Sequence, residues 1–215
     1  MKIMFTGSRP KNLLPTNKAY NMEAWTKLNI QMNDILETII KYTEETEYVF
    51  ITGGAQGFDQ LAFWCVDRLK SHYPEKNIKN NLVLPFTNQA EQWMTNGLFS
   101  QKEYELMKDK ADEISYCVNY ELHNYKDIRN ALMARNSVMI NRADVTIALQ
   151  ANPDWNDPKT PSGTADAMRK ALKEDKEIIW LKNKLTKNDE IYIDNIEIIN
   201  EKSLKPLETL MRNTL

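Results

Sequence analysis

The sequence predicts an α/β fold in which a mainly parallel sheet is covered by helices on both faces. Three observations predict it. Apolar runs of strand length alternate with stretches of helical period along most of the chain, the pattern of parallel strands joined by crossover helices. Three glycine-bearing turns each follow a strand-like run: Thr6-Gly7-Ser8-Arg9, Gly53-Gly54-Ala55-Gln56-Gly57-Phe58-Asp59 and Ser162-Gly163-Thr164-Ala165-Asp166, holding five of the six glycines. With 215 residues, 42% of them hydrophobic and 27% charged, the chain suits a single domain over 1–215 with a sizeable core.

The elements follow in order. Lys2 to Phe5 reads as the first strand. Asn21 is placed to cap a helix whose apolar stripe is Trp25, Leu28, Met32, Ile35, Leu36 and Ile39. Tyr48 to Thr52 is a second strand, followed after Gly57 by a helix from about Phe58 to Ser71. Strands over Asn81 to Leu84 and Glu113 to Val118 flank a helix from about Glu103 to Lys110. A helix from about Tyr125 to Asn141 leads to a strand over Val145 to Leu149, and Glu177 to Leu181 is a further strand. The tail, about 189–215, reads as a strand over Ile191 to Ile199 and a short closing helix after Ser203. Between Gln150 and Ser162 the prolines forbid both strand and helix. That loop has two readings: a lid carrying Trp155 over a bound base, or a surface loop whose Trp155 packs locally.

Composition narrows the functional classes. Lys and Arg total 28 against 30 acidic residues, so no overall basic field recruits nucleic acid. Cys65 and Cys117 lie in apolar surroundings and fit neither a disulfide framework nor a metal spacing; both are expected as reduced core residues. No His-x-x-x-His or Cys-x-x-Cys spacing occurs, His72 and His123 read as surface residues, and neither metal nor cofactor is expected. The opening apolar run is too short for a secretion signal, and none approaches the ~20 residues of a membrane span. A cytoplasmic protein without membrane attachment is the expectation.

In a parallel α/β sheet, glycine turns gather at the carboxyl edge, where exposed amides and helix N-termini favour anions. A phosphate-bearing ligand is therefore expected. The second turn is the most informative: Gly53 and Gly54 allow close backbone approach, Gly57 opens a helix and Asp59 sits in its first turn. Neither a G-x-G-x-x-G fingerprint nor a Walker loop is present. Asp59 favours the helix dipole by ~0.3–1 kcal/mol, or holds a ribose hydroxyl or a water. Arg135 interrupts the stripe formed by Ile128, Leu132, Met139 and Arg142. A guanidinium facing inward requires a partner, and an ion pair with Asp59 or Asp144 serves as well as a ligand phosphate.

These residues resemble a known family. Thr6-Gly7-Ser8-Arg9, Gly53-Gly54-Ala55-x-Gly57-x-Asp59-x-Leu61-Ala62, Arg135-Asn136-x-x-Met139 and Gly163-Thr164-Ala165-Asp166-x-Met168 are similar, in order, to motifs of the SLOG superfamily, closest to its YspA- and YpsA-like branch. Pro85-Phe86-x-x-Gln89-x-x-x-Trp93 also resembles a YpsA element. The matched blocks span 6–168 and leave the tail unassigned.

The resemblance implies a Rossmann-like three-layer α/β/α fold that binds nucleotides or nucleotide-derived molecules, and a homodimer. It carries Gly53, Gly54, Ala55 and Gly57, with Ser162, Gly163 and Thr164, onto ligand phosphate. Gly7, Ser8 and Arg9 extend into the same pocket, Arg135 pairs with phosphate, and Asn136 and Asp59 address ribose or base. Relatives divide between binding and N-glycosidic cleavage, the latter seen in LOG phosphoribohydrolases, and DprA binds DNA. The LOG pattern puts its catalytic glutamate three residues after the threonine of the Gly-Thr turn, which here is Ala167. Hydrolysis then needs Asp166, displaced roughly 100° around a helix, or Asp59. The leading expectation is a sensor or sequestering protein for an AMP- or ADP-ribose-like ligand. A nucleoside monophosphate N-glycosidase comes second. DNA binding through Lys126, Arg129, Arg135 and Arg142 comes third.

Overall fold

The computed structural model describes residues 1–200 and 202–215. The chain starts with β1 (Lys2–Gly7) and a one-turn helix, α1 (Pro10–Leu13), and crosses through α2 (Met22–Tyr42) to β2 (Glu47–Thr52). It continues outward through α3 (Phe58–His72), β3 (Asn77–Leu84), α4 (Gln101–Lys110) and β4 (Glu113–Tyr116). The helix α5 (Tyr125–Arg142) then returns it to β5 (Val145–Leu149). From there α6 (Gly163–Lys173), β6 (Glu177–Leu185), β7 (Ile191–Ile199) and α7 (Glu208–Arg212) complete the other half. The strand order is β4-β3-β2-β1-β5-β6-β7, parallel except for the last pair. This is the Rossmann-like, mainly parallel α/β sheet that the sequence predicts.

Strand alternation divides the core into two sides. Ile3 and Phe5 of β1 join the layer of α2, α3 and α7. Met4, between them, joins the layer of α5 and α6. The predicted stripe on α2 is buried, each such side chain contributing about 1.5–3 kcal/mol. Its start is fixed by Asn21, whose Oδ1 accepts from the Glu23 amide at 2.9 Å. None of the described helices is long and apolar enough to cross a membrane.

Several boundaries differ from the sequence expectation for identifiable reasons. β3 begins at Asn77, not Asn81, because Asn80 is buried and spends its side-chain amide on the Phe63 carbonyl at 2.9 Å. A polar residue with a tertiary partner hides a strand from a hydrophobicity reading. β4 stops at Tyr116, although the Cys117 amide still reaches the Leu84 carbonyl at 2.8 Å. β6 runs on to Leu185 because β7 pairs along its whole length. Cys65 is buried as expected, whereas Cys117 is only half-buried. Trp155 is 5% exposed and meets Trp180 edge-on at 5.9 Å. The loop therefore anchors its tryptophan in the core, and the lid reading is overturned.

Candidate functional site

The chain moves outward from β1 to β4, returns, and lays β5 against the other flank of β1. Beyond the carboxyl ends of β1 and β5, connections diverge and leave a crevice, the usual ligand position in open α/β sheets. The first glycine turn follows β1 there, and the second follows the neighbouring β2.

These two turns are packed against each other. A Cβ on Gly57 would lie 3.2 Å from the Ser8 carbonyl and 3.0 Å from the Pro10 ring. Gly57 itself adopts φ 93°, a conformation open to glycine at little cost. A Cβ on Gly7 would come within 2.5 Å of the Phe58 Cβ, so glycine at this position lets α3 sit directly on β1. The N-terminus of α3 thus lies against the first turn, and Asp59 is buried in its opening turn.

Arg135 reaches this assembly from α5. Its Nη1 donates to the Gly53 carbonyl at 3.2 Å and stands 3.9 Å from Asp59 Oδ2. The guanidinium lies over Gly53, where a Cβ would be only 2.6 Å from its central carbon. Its Nε and Nη2 both donate to Asn136 Oδ1, at 3.3 and 2.9 Å. Asn136 donates in turn to the Gly163 carbonyl at 3.5 Å. The Arg135-Asn136 pair therefore joins the second turn to the third. Asp144, the other partner considered for Arg135, instead accepts from the Lys2 amide at 2.8 Å.

The electrostatics are uneven. Burial pushes the Asp59 carboxyl above its ordinary range, opposed by Arg135, by the Ala55 amide at 3.3 Å, and by Arg9 and the Gly53 amide. Arg9 is held below its usual value, first by burial and then by Arg135, with Asp59 pulling the other way. Among the described residues the Arg9 guanidinium has no hydrogen-bond acceptor. Burial thus disfavours the charge of the one carboxylate that stands within ion-pair distance of Arg135.

At the third turn Ser162 caps α6, its Oγ accepting from the Ala165 amide and from Gln150 Nε2, each at 3.3 Å. Thr164 is buried, and the space above Gly163 is open, since a Cβ there would meet nothing within 4 Å. The amides of Gly163 and Thr164 have no acceptor among the described residues. Asp166 lies apart from this group. It pairs with Lys170 at 3.0 Å and lines a separate depression of about 370 Å³ with Asn156, Arg169 and Lys173. Ala167, at the position of the LOG glutamate, is fully buried.

Sequence reasoning left two supports without a role. Gln89 donates to the Gly53 carbonyl at 3.4 Å and accepts from the Tyr104 hydroxyl at 3.2 Å, all of it buried. Gln56 takes a hydrogen bond from Tyr20 at 3.4 Å and donates to the Phe99 carbonyl at 2.8 Å. Gln89 had a signal in the Phe86-x-x-Gln89 pattern; Tyr104 and Tyr20 had none. Beside Arg9 a pocket of about 320 Å³ opens, walled by Phe86, Gln89, Trp93, Ile128 and Leu132.

A doubly wound, mainly parallel sheet with glycine turns at its carboxyl edge makes this a Rossmann-like α/β protein. The chain belongs to the YspA SLOG family, whose model matches residues 3–185. It is also 36% identical over 132 residues to the uncharacterized SPbeta prophage-derived protein YoqJ of Bacillus subtilis (strain 168). That match covers 57% of this chain and 71% of YoqJ.

Proposed function

We propose that this protein binds a nucleotide or nucleotide-derived ligand of the AMP or ADP-ribose kind, acting as a sensor or sequestering protein. The observation that carries the reading is Arg135, whose guanidinium bonds the Gly53 carbonyl of the second glycine turn beside the buried carboxylate of Asp59, with Arg9 of the first turn near enough to act on both charges. A ligand phosphate would supply negative charge there, and arginine suits phosphate by its forked donors. Amides from the second and third turns, with Thr164, add neutral donors. We assign Asn136 and Asp59 to the ribose or base, because a carboxylate repels a phosphate set on it.

The hydrolytic alternative draws less support. Asp166 is ion-paired away from the turns and Ala167 carries no carboxyl, so cleavage would depend on Asp59 alone. For DNA binding, Lys126, Arg129 and Arg142 are exposed on α5, but Arg135 is engaged with the glycine turns. The homodimer that the family resemblance implies belongs to the same proposal, and sedimentation equilibrium tests it.

The test of binding is thermal unfolding against AMP, ADP-ribose, NAD, cyclic nucleotides and nucleoside monophosphates. A ligand at ~100 times its dissociation constant adds ~2.7 kcal/mol, which raises the midpoint by roughly 5–10 °C at this length. Chromatography of the incubated ligand separates retention from cleavage. No shift with any of them would set the reading aside.

A further inference from the structure

We propose that the pocket beside Arg9 is a nucleobase subsite, so that the ligand is a base-bearing nucleotide rather than a sugar phosphate or polyphosphate. This rests on the reading that the glycine turns hold phosphate. Arg9 and Gln89 both line the pocket, Arg9 belongs to the first glycine turn, and Gln89 donates to the Gly53 carbonyl of the second at 3.4 Å. The pocket therefore adjoins the proposed phosphate position instead of lying on a separate face.

Its walls have the chemistry of a base site. Phe86, Ile128 and Leu132 give apolar surface, and half-buried Trp93 adds an indole held edge-on to Tyr104 at 5.2 Å. Aromatic faces accept planar bases by stacking. The polar edge is Gln89, whose amide is fixed by Tyr104 on its oxygen and by the Gly53 carbonyl on its nitrogen. A primary amide has two donors and two lone pairs, so Gln89 keeps one of each for the edge of a heterocycle. Because its nitrogen also holds Gly53, one side chain touches both the proposed phosphate turn and the base pocket.

Two of the lining residues tie neighbouring segments together. Asn88 accepts from the Leu122 amide at 2.9 Å and donates to the Leu122 carbonyl at 3.3 Å, fastening the segment after β3 to the one before α5. About 320 Å³ is within the range of small-molecule sites. Among the described residues Arg9 and Glu91 are its one cation and one carboxylate, which suits a neutral ring and leaves the anion to the glycine turns.

The experiment is calorimetric titration of the intact protein with AMP, GMP, CMP, UMP and ribose 5-phosphate, which shares their sugar phosphate but lacks a base. At least one nucleotide is expected to bind roughly tenfold or more tighter than ribose 5-phosphate, the scale of one stacked base. Trp93→Ala should shrink that ratio to about threefold or less, while Trp93→Phe, which keeps a stacking face, preserves most of it. Arg135→Ala should weaken nucleotide and sugar phosphate alike. Equal binding of all five to the parent protein, or a ratio untouched by Trp93→Ala, overturns the base subsite while leaving the phosphate reading standing. If none of the five binds, the base subsite falls, and the phosphate reading stands or falls with ADP-ribose, NAD and the cyclic nucleotides.

Discussion

Arg135 joins the glycine turns to the return helix, and its surroundings separate binding from stability. Removing it in Arg135→Ala deletes charged hydrogen bonds of about 1.5–3 kcal/mol each, so ligand affinity should fall roughly 10- to 100-fold by calorimetry. Gly53→Ala should do the same by another route. Its new Cβ would lie 2.6 Å from the guanidinium carbon, and the side chain must leave. A Gly53→Ala protein that binds as the parent does would mean that Arg135 does not hold the ligand. Asp59 gives a pH signature. Burial raises its folded-state pKa above 3.8, so below that value the carboxyl is protonated in both states and costs nothing. As pH climbs from there through the folded-state value, the unfolded chain loses the proton first and the native state is penalised. The melting temperature of the parent should therefore fall relative to Asp59→Asn as pH rises above about 4; a relative rise would show that Arg135 outweighs burial. Arg135 was legible in the sequence because it broke an apolar stripe at helical spacing. Its partner was not, since Asp59 and Asp144 differ only by which end of the sheet they occupy, and that follows from tertiary pairing.

At the level of elements, α3 shows what sequence could and could not reveal. Its span was readable from period and from Gly57, and its register on β1 was not. That register depends on Gly7 lacking a Cβ where Phe58 presses in. Gly7→Ala should push α3 outward at a cost of about 1–3 kcal/mol, the scale of overpacking in a core, seen as a lower melting temperature. The same helix carries Cys65 against α2, where Asn29 lies 3.6 Å from its sulfur. Burial pushes this thiol from 9.0 up to about 12. Its modification by an alkylating reagent at pH 8 should thus wait on unfolding, with half-buried Cys117 reacting first. Native-state labelling of Cys65 at the rate of a free thiol would contradict the packing of α2 on α3. Strands were read where their residues were apolar and missed where polar residues had distant partners. Asn80 extends β3 for that reason, as does the pairing of β7 for β6.

The whole molecule is a sheet with work divided between its two edges. Glycine turns occupy the carboxyl edge beside β1 and β2, whereas the closing segment is fastened at the amino end of β6. There the buried Glu177 accepts from the Lys202 and Leu204 amides at 3.1 and 2.9 Å, and from the Ser203 amide and hydroxyl at 3.1 and 3.0 Å. Gln31 covers the outer strand, accepting from the Ile193 amide at 2.7 Å and donating to its carbonyl at 3.0 Å, so α2 occupies hydrogen-bonding positions that an edge strand would otherwise expose. Neither tie was visible beforehand, because each joins residues far apart in the chain whose types are ordinary alone. The two edges should then be separable by mutation. Glu177→Ala leaves three backbone amides and a hydroxyl without their acceptor, a cost of about 2–4 kcal/mol, and a melting temperature lower by about 5–15 °C. Glu177→Gln should fall between, because its amide oxygen keeps part of the set while its NH₂ faces donors. Neither change touches the glycine turns, so nucleotide affinity measured well below the new midpoint should stay at the parent value. An unchanged melting temperature would show that the closing helix is held by its apolar contacts with α2 and β7 alone. A loss of affinity would show that the tail's fastening is transmitted across the sheet to the opposite edge.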